Sequence, residues 1–247
     1  MRTLAITLCV AFALAVLPVH AEKVTISIGS QPPLLGPEGG IVNLVIAESL
    51  KREGYEVEYD WLPIGRMLKM LETDGLEVYV TPSNTPGQQH PHVNFLAAKG
   101  VFFYLARNEP AVPMKKLEDL AGKKVGTVIN SPLRAMFEAA GIVVDEGPFD
   151  TMFLKLEAGR VDFVSTADVG GLLTIRRLFP GRESEFTFTD FAYMTIGTGL
   201  YAKPGVRGDR LLESARRGFA AIKADGTLDR MLVSFFGPTY AKRVMVY

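Results

Sequence analysis

Two periods of hydrophobic and polar residues alternate along the first third of the chain. Residues Val24 to Gly29 and Glu56 to Trp61 alternate apolar and polar side chains, as half-buried strands do. Between them, apolar residues from Gly40 to Glu53 recur every three to four positions and predict a helix. A second helix is predicted over Ile64 to Leu71 and a third strand over Leu76 to Val80. This alternation favours a largely parallel sheet covered by helices, an α/β fold.

The rest of the chain repeats the pattern after a break. Val101 to Arg107 is a strongly apolar strand, and the prolines within Asn108 to Pro113 interrupt the chain after it. Ser131 and Pro132 predict a helix start, with serine as N-cap and proline in the first turn. The other predicted elements are strands at Lys124 to Val128, Val161 to Ser165 and Gly199 to Ala202, helices capped by Asp150 and Asp209, and a helix over Leu228 to Phe236.

The first residues predict export of the protein. A short basic start at Arg2 precedes an apolar run from Leu4 to Leu17, and a small residue follows at Ala21. These features are typical of a signal peptide, residues 1–21, that is cleaved after Ala21. The alternative is a membrane anchor, but the run is shorter than the roughly 20 residues that a membrane-spanning helix needs.

Composition and charge narrow the possible functions. The 27 Lys and Arg residues balance 27 Asp and Glu residues, so no nucleic acid or anionic membrane is expected as a partner. Cys9 lies within the predicted signal, so the exported chain has no thiol or disulfide chemistry. Hydrolase, zinc-protease and phosphate-binding signatures are absent from the sequence. We therefore predict a protein that is not an enzyme and has no cofactor or metal.

Three local motifs each have a functional and a structural interpretation. His90 and His92 could join a metal site, but a metal usually takes three or four ligands, so solvated loop histidines are favoured. Gly197 to Ala202 loosely fits a dinucleotide fingerprint, but its apolar continuation favours a strand. Gly36 to Gly40 precedes a helix and could hold an anion there, but a simple turn is favoured.

A polar loop and two nearby residues suggest a ligand cleft. The stretch from Thr81 to Phe95 contains no charged side chain and is rich in hydroxyls and amides. Trp61 ends a predicted strand, which is where an α/β sheet presents its ligand crevice. Arg66 puts a cation at the start of a helix, where the helix dipole disfavours it. Arg66 therefore serves either a structural ion pair or an anionic ligand, and both interpretations stay open.

Four stretches spread along the chain resemble one known family. Its members are the extracellular solute-binding proteins of family 3, the periplasmic receptors of polar amino-acid ABC transporters. The four stretches are VTISIGSQPPL from Val24, LEDLAGKKVGTVINS from Leu117, LEAGRVDFVSTAD from Leu156 and IKADGTLDRMLVSFFG from Ile222.

The resemblance implies a type II periplasmic-binding-protein architecture, in which two hinge strands join two α/β lobes around a ligand cleft. Lobe 1 would comprise residues 22–106 and 199–247, and lobe 2 residues 107–198. The hinge strands would run over Phe102 to Arg107 and Thr198 to Tyr201, and the lobes would close on the ligand. The resemblance also implies a periplasmic monomer that captures a small polar solute and delivers it to an inner-membrane ABC permease or a membrane sensor.

The sequence departs from the family at the positions that clamp an amino acid. The family carries an Arg about six residues before a Phe in the first-lobe loop, and counting back from Phe95 reaches Gln89. The family Asp that holds the ligand ammonium would fall on Ala167, and Asp168 comes one residue later. The family turn Gly-Thr or Gly-Ser is Asn130-Ser131 here.

We therefore expect a cleft whose hydroxyls and amides form hydrogen bonds with neutral polar groups of the ligand. Trp61 would pack on the ligand, and Arg66 or Arg134 would meet negative charge. The alternative is that the polar loop is only surface. The candidate ligand-binding residues are Gln31, Trp61, Arg66, Thr81, Ser83, Asn84, Gln89, Ser131, Arg134 and Asp168.

Two other functions stay open at this point. Some relatives of this scaffold are periplasmic dehydratases of cyclic acids, and such chemistry would need a carboxylic acid such as Asp168 in the cleft. A protein-binding partner of a membrane signalling protein, with an emptied cleft, also fits the absence of the clamp arginine.

Overall fold

The computed structural model describes residues 21–247 except 30–33, 38, 84, 86–88, 109–113, 130, 132 and 243. The predicted signal peptide, apart from Ala21, lies outside the described residues. The strands are β1 (Glu22–Gly29), β2 (Tyr55–Leu62), β3 (Val78–Pro82), β4 (His92–Leu105), β5 (Lys124–Val128), β6 (Val143–Gly147), β7 (Phe163–Ala167), β8 (Phe186–Phe188), β9 (Met194–Ala202) and β10 (Met245–Val246). The helices are α1 (Ile41–Arg52), α2 (Ile64–Glu72), α3 (Arg134–Ala139), α4 (Phe149–Glu157), α5 (Asp168–Leu178), α6 (Val206–Ala224), α7 (Thr227–Phe236) and α8 (Pro238–Ala241).

All ten strands of the described residues join one hydrogen-bonded network. The main path has the order β2-β1-β3-β9-β4-β7-β5-β6, and β8 and β10 pair with β4 beside it. Strands β2, β1 and β3 are parallel to one another, and so are β7, β5 and β6. Strands β4 and β9 are antiparallel to each other and join the two parallel groups. The α/β fold class predicted from the sequence is confirmed.

Helices α1, α6 and α7 cover one face of the first parallel group. The core there contains Ile26 and Ile28 from β1 and Val45 and Ile46 from α1, all fully buried. Helix α6 lies so close to α1 that a Cβ on Gly218 would come within 1.9 Å of the Ser49 carbonyl oxygen. Glycine is therefore the residue that lets these two helix backbones touch.

A separate aromatic core supports the second parallel group. Phe103 of β4 is fully buried and packs with Phe153 of α4. Its ring lies against Gly171 of α5, where a Cβ would come within 2.3 Å of Phe103 Cε2. Close packing of α5 on β4 fixes the position of the first residue of α5, Asp168, which is important for the site.

Several element ends differ from the sequence prediction. Helix α3 begins at Arg134 rather than Ser131, because the Ser131 hydroxyl accepts the backbone N–H of Leu133 in a turn that precedes the helix. Arg134 is therefore the first residue of the helix and not one turn inside it. Asp150 and Asp209 lie in the first turns of α4 and α6 but are not the N-caps.

The polar loop is shorter than the sequence indicated. Strand β3 continues to Pro82 and β4 already starts at His92, so the connection spans residues 83–91. The stretch from Gly197 to Ala202 lies within β9, as predicted when the dinucleotide interpretation was set aside. None of the helices in the described part of the chain is both long and apolar enough to span a membrane.

Candidate functional site

The carboxyl ends of the two parallel strand groups point towards each other. Strand β3 ends at Pro82, which is opposite Thr198 of β9, and Thr198 is opposite Leu96 of β4. Strand β7 runs in the opposite direction and ends at Ala167, opposite Gly100 of β4. Leu96 and Gly100 are four residue steps apart along the extended strand, which corresponds to about 13 Å. Ligands of open α/β sheets bind outside the carboxyl ends of the strands, so this gap is the candidate site.

Two antiparallel strands form the floor of this gap. Residues Ala97 to Lys99 of β4 pair with Thr195 to Gly197 of β9. We call these two stretches the hinge segments. They connect the two groups of strands, and the candidate residues at the strand ends lie on either side of them.

Ser83 attaches the polar loop to one hinge segment. Its backbone N–H donates to the Gly197 carbonyl over 2.7 Å, and its hydroxyl accepts the Gly197 N–H over 3.0 Å. Thr81 is buried, and its hydroxyl donates to the Thr85 hydroxyl over 2.7 Å. Both hydroxyls therefore shape the loop itself, at the carboxyl end of β3.

Asp168 attaches the second group of strands to the other hinge segment. Its side chain is buried, and its Oδ1 accepts the backbone N–H of Val169 over 2.7 Å and that of Lys99 over 3.2 Å. A carboxylate at the N-terminus of α5 is also stabilised by the helix dipole. Ser83 and Asp168 thus hold the two sides of the gap to the same pair of strands.

The other first-lobe candidates lie farther along the same edge. Trp61, near the end of β2, is partly buried and packs against Tyr59 with ring centroids 5.8 Å apart. Arg66 is exposed in the first turn of α2, and Gln89 is exposed near the end of the polar loop. Gln31 and Asn84 lie outside the described residues.

Arg134, predicted to meet an anion, contacts two carboxylates of the protein. Its Nε donates to Glu138 and one terminal nitrogen donates to Glu146, both over 2.9 Å. Both carboxylates raise the pKa of Arg134, and the charge of Glu138 makes the largest contribution. Ser131 is buried beside it, with its hydroxyl turned to the Leu133 amide. An anionic ligand would have to compete with both glutamates for Arg134.

The two histidines of the described chain lie in an aromatic cluster. His90 Nε2 is 2.9 Å from Asp74 Oδ1, and its ring lies beside Tyr79. The His92 ring stacks on Tyr201 with centroids 4.6 Å apart. The expectation of solvated loop histidines was therefore wrong for His90, whose side chain is only 16% exposed. No three His, Cys, Asp or Glu side chains of the described residues gather as a metal site would require.

Sequence reasoning missed several residues of the gap because they lie on strands. Lys99 is exposed on a hinge segment. Asn94 of β4 carries a buried Oδ1 without a hydrogen-bond partner in the described structure, close to Gly199 of β9. Tyr247 follows β10, and its phenol oxygen lies against Gly197. Pairing between distant strands brings these groups together, and no local motif signals it.

A surface cavity of about 490 Å³ lies at the opposite edge of the first group of strands. Its lining includes Glu22, Lys203 and Val206, at the amino end of β1 and around the start of α6. Because open α/β sheets bind ligands beyond the carboxyl ends of their strands, we base the site on the gap and not on this cavity.

Tyr193 packs beside the hinge, and its burial predicts that the free energy of unfolding falls at alkaline pH. It packs against Gly100 and accepts a hydrogen bond from the Ser165 hydroxyl, and burial raises its pKa to about 12. An unfolded tyrosine titrates near pH 10, so stability from the neutral phenol is complete below roughly pH 10 and lost as the pH rises towards 12. We expect Tyr193→Phe to flatten the fall in unfolding free energy as the pH rises from roughly 10 towards 12, measured by urea denaturation. An unchanged slope would contradict this role.

Comparison with solved structures supports this fold across nearly the whole chain. An ancestral arginine-binding protein bound to arginine is 23% identical, with a TM-score of 0.63 over 86% of this chain and 98% of that one. The GluR0 ligand-binding core in complex with L-glutamate is 12% identical, with a TM-score of 0.68 over 88% and 99%. A histidine kinase sensor domain with similarity to periplasmic binding proteins is 20% identical, with a TM-score of 0.66 over 87% and 97%.

No protein-family model matches the chain, and no curated protein matches its sequence. At these identities the structural likeness establishes the fold alone. The chain therefore has a type II periplasmic-binding-protein fold, with its candidate ligand site between two facing sets of strand ends.

Proposed function

We propose that this protein is a periplasmic solute-binding protein that captures a small amino-acid-like ligand by closing two lobes on it. The observation that carries the proposal is that two sets of strand ends face each other across about 13 Å. Ser83 is attached to one hinge segment and Asp168 to the other. A gap of this width admits one small molecule with a charged group at each end. Solved structures of this fold that hold arginine, glutamine or L-glutamate support the amino-acid class.

We assign opposite ends of the ligand to the two sides of the gap. Asp168 is buried and carries a carboxyl group, and it would hold the ligand ammonium. Arg66, exposed on the first-lobe side, would hold the carboxylate, a role in which it replaces the arginine missing at Gln89. The hydroxyls of Thr81 and Ser83 would border the ligand, and Trp61 would cover it.

The strand pairing also supports a proposal for where the two lobes meet. We propose that lobe 1 contains residues 22–96 and 198–247 and lobe 2 residues 100–194, because β4 pairs with β7 and β8 from Gly100 onwards. These boundaries differ from the expected residues 106 and 198. Within the hinge strands, we place the bending positions at Ala97 to Lys99 and Thr195 to Gly197, because these stretches lie between the facing strand ends. Closure would bring Asp168 towards Ser83, and a permease or a sensor in the inner membrane would recognise the closed form.

Titration with amino acids tests the proposed function. The purified protein without residues 1–21 is heated with each standard amino acid and with sugars, polyamines and quaternary amines, and compounds that raise the melting temperature are titrated by calorimetry. A ligand at 100 times its dissociation constant should stabilise the fold by about 2.7 kcal/mol. A shift only with sugars, polyamines or quaternary amines would replace the amino-acid class and keep the binding role, and no shift with any compound would contradict capture of a solute.

A role for Arg66 in holding a carboxylate predicts a measurable loss. Arg66→Ala should weaken binding of an amino acid about tenfold or more, since hydrogen bonds to charged groups contribute roughly 1.5–3 kcal/mol. Lys69→Ala, which removes another exposed cation from the same helix, should leave the dissociation constant unchanged. Calorimetric titration of both variants measures this, and equal effects of the two would remove Arg66 from the site.

A sensory function is the second candidate, because a histidine kinase sensor domain shares the fold. In that case the partner of the closed form would be a membrane kinase and not a permease. Crosslinking of the protein in intact cells, followed by identification of the attached membrane protein, separates the two. Attachment to a transport permease would contradict the sensory function.

A further inference from the structure

Strand β10 brings an aromatic side chain to one hinge segment. It pairs antiparallel with β4, with Met245 opposite Ala97 and Val246 opposite Leu96. The backbone N–H of Tyr247 donates to the Phe95 carbonyl over 3.2 Å, and Lys223 Nζ donates to the Tyr247 backbone oxygen. The backbone of Tyr247 is therefore held at the edge of β4, beside the floor of the gap.

The Tyr247 side chain reaches across β4 to β9. Its phenol oxygen lies 2.7 Å from the position that a Cβ on Gly197 would occupy, and the Ser83 hydroxyl lies 3.4 Å from the same position. Glycine at this position leaves the space that the phenol fills. The phenol and the Ser83 hydroxyl thus both lie near the same point of the hinge.

This point lies on the floor of the gap, where Gly197 itself is buried. Gly197 lies in a hinge segment and directly precedes Thr198, the residue opposite Pro82 at the end of β3. Tyr247 as a residue is 49% exposed, so part of it is accessible to another molecule. A tyrosine offers an apolar ring and a hydroxyl that both donates and accepts, so it can pack on a ligand and hydrogen-bond to it.

We propose that Tyr247 forms the hinge-side wall of the cleft next to Ser83, and that its phenol determines which side chain of an amino-acid ligand the cleft accepts. The inference rests on the proposed function, and it adds a specificity-determining residue that no local motif of the sequence indicates. A larger space at this wall would admit larger ligand side chains, and loss of the hydroxyl would remove a contact with polar ones.

The contact itself can be tested without a ligand. Gly197→Ala should lower the melting temperature by several degrees, because the new methyl group would displace the phenol. The same substitution in a Tyr247→Ala background should lower it by less than about one degree, because residues in contact are energetically coupled. Equal shifts in the two backgrounds would overturn the contact between Tyr247 and Gly197.

The role in specificity is tested by titrating L-arginine, L-glutamine and L-glutamate into the wild type, Tyr247→Phe and Tyr247→Ala. Met245→Ala is the matched control, since it alters an exposed side chain of the same strand. A tenfold change in any dissociation constant or a new order of preference in the Tyr247 variants, absent in the control, is expected. Binding that appears only in Tyr247→Ala would also support the wall.

The two hypotheses fail in different ways. Wild-type binding with the same constants in all variants would overturn the wall and leave the proposed function intact. Absence of binding by the wild type and by every variant would overturn both.

Discussion

Replacing Asp168 by Asn should weaken amino-acid binding about 100-fold and leave the stability close to that of the wild type. The amide keeps an oxygen that accepts the N–H groups of Lys99 and Val169, so the links to the hinge survive. The negative charge and one acceptor oxygen are lost, and hydrogen bonds to charged groups contribute roughly 1.5–3 kcal/mol, with more when the group is buried.

Asp168→Ala should cause the same loss of affinity and lower the stability as well. It removes the acceptor of the Lys99 and Val169 N–H groups, of which that of Val169 is buried, and an unsatisfied buried donor costs about 1–3 kcal/mol. The matched control is Asp162→Asn, because the Asp162 carboxylate also accepts a backbone N–H, from Lys124 over 2.8 Å, but lies before β7 and away from the gap. Calorimetry and urea denaturation measure the two quantities. Normal affinity in Asp168→Asn would show that the ligand ammonium is held elsewhere.

Gly218→Val should have the largest effect on stability. Even the first carbon of the new side chain would come within 1.9 Å of the Ser49 carbonyl, and the helices α1 and α6 would have to separate. Overpacking in cores typically costs 1–3 kcal/mol, and a clash between two backbones should cost at least about 3 kcal/mol. For a chain of this size that corresponds to roughly 6–12 °C in melting temperature.

Gly65→Ala is a control for that substitution, with the opposite expected effect on stability. Gly65 lies in α2 and no atom comes within 4 Å of its missing Cβ, so alanine should stabilise the helix by about 0.5 kcal/mol. Melting curves of both variants by circular dichroism provide the measurement. A Gly218 variant as stable as the wild type would contradict the close contact of α1 with α6.

The sequence predicts most regular elements of this fold because each carries a local period. Helix α1 and strands β1 and β2 were found within one or two residues from the spacing of apolar side chains. The N-terminal part of β4 was not, because His92 to Phe95 continues a polar loop in composition, and tertiary pairing with β9 decides its conformation. Strands β8 and β10 are too short to show a period at all.

Features of the site depend more strongly on contacts between distant residues. The sequence predicts that Arg134 is available to an anion, but its guanidinium donates a hydrogen bond to Glu146 of β6. The hydroxyl of Ser83 was predicted to face a ligand, and the structure attaches it to Gly197, which is far away in sequence. Strand ends could be predicted as the place of the site, whereas the partners of each side chain could not.

The most direct test of the account is calorimetric titration of the wild-type protein and Asp168→Asn with the amino acid that gives the largest thermal shift. We expect saturable binding of one ligand per chain in the wild type and about 100-fold weaker binding in the variant. Absence of saturable binding by the wild type, or equal affinities of the two proteins, would contradict capture of an amino acid between Asp168 and the first lobe.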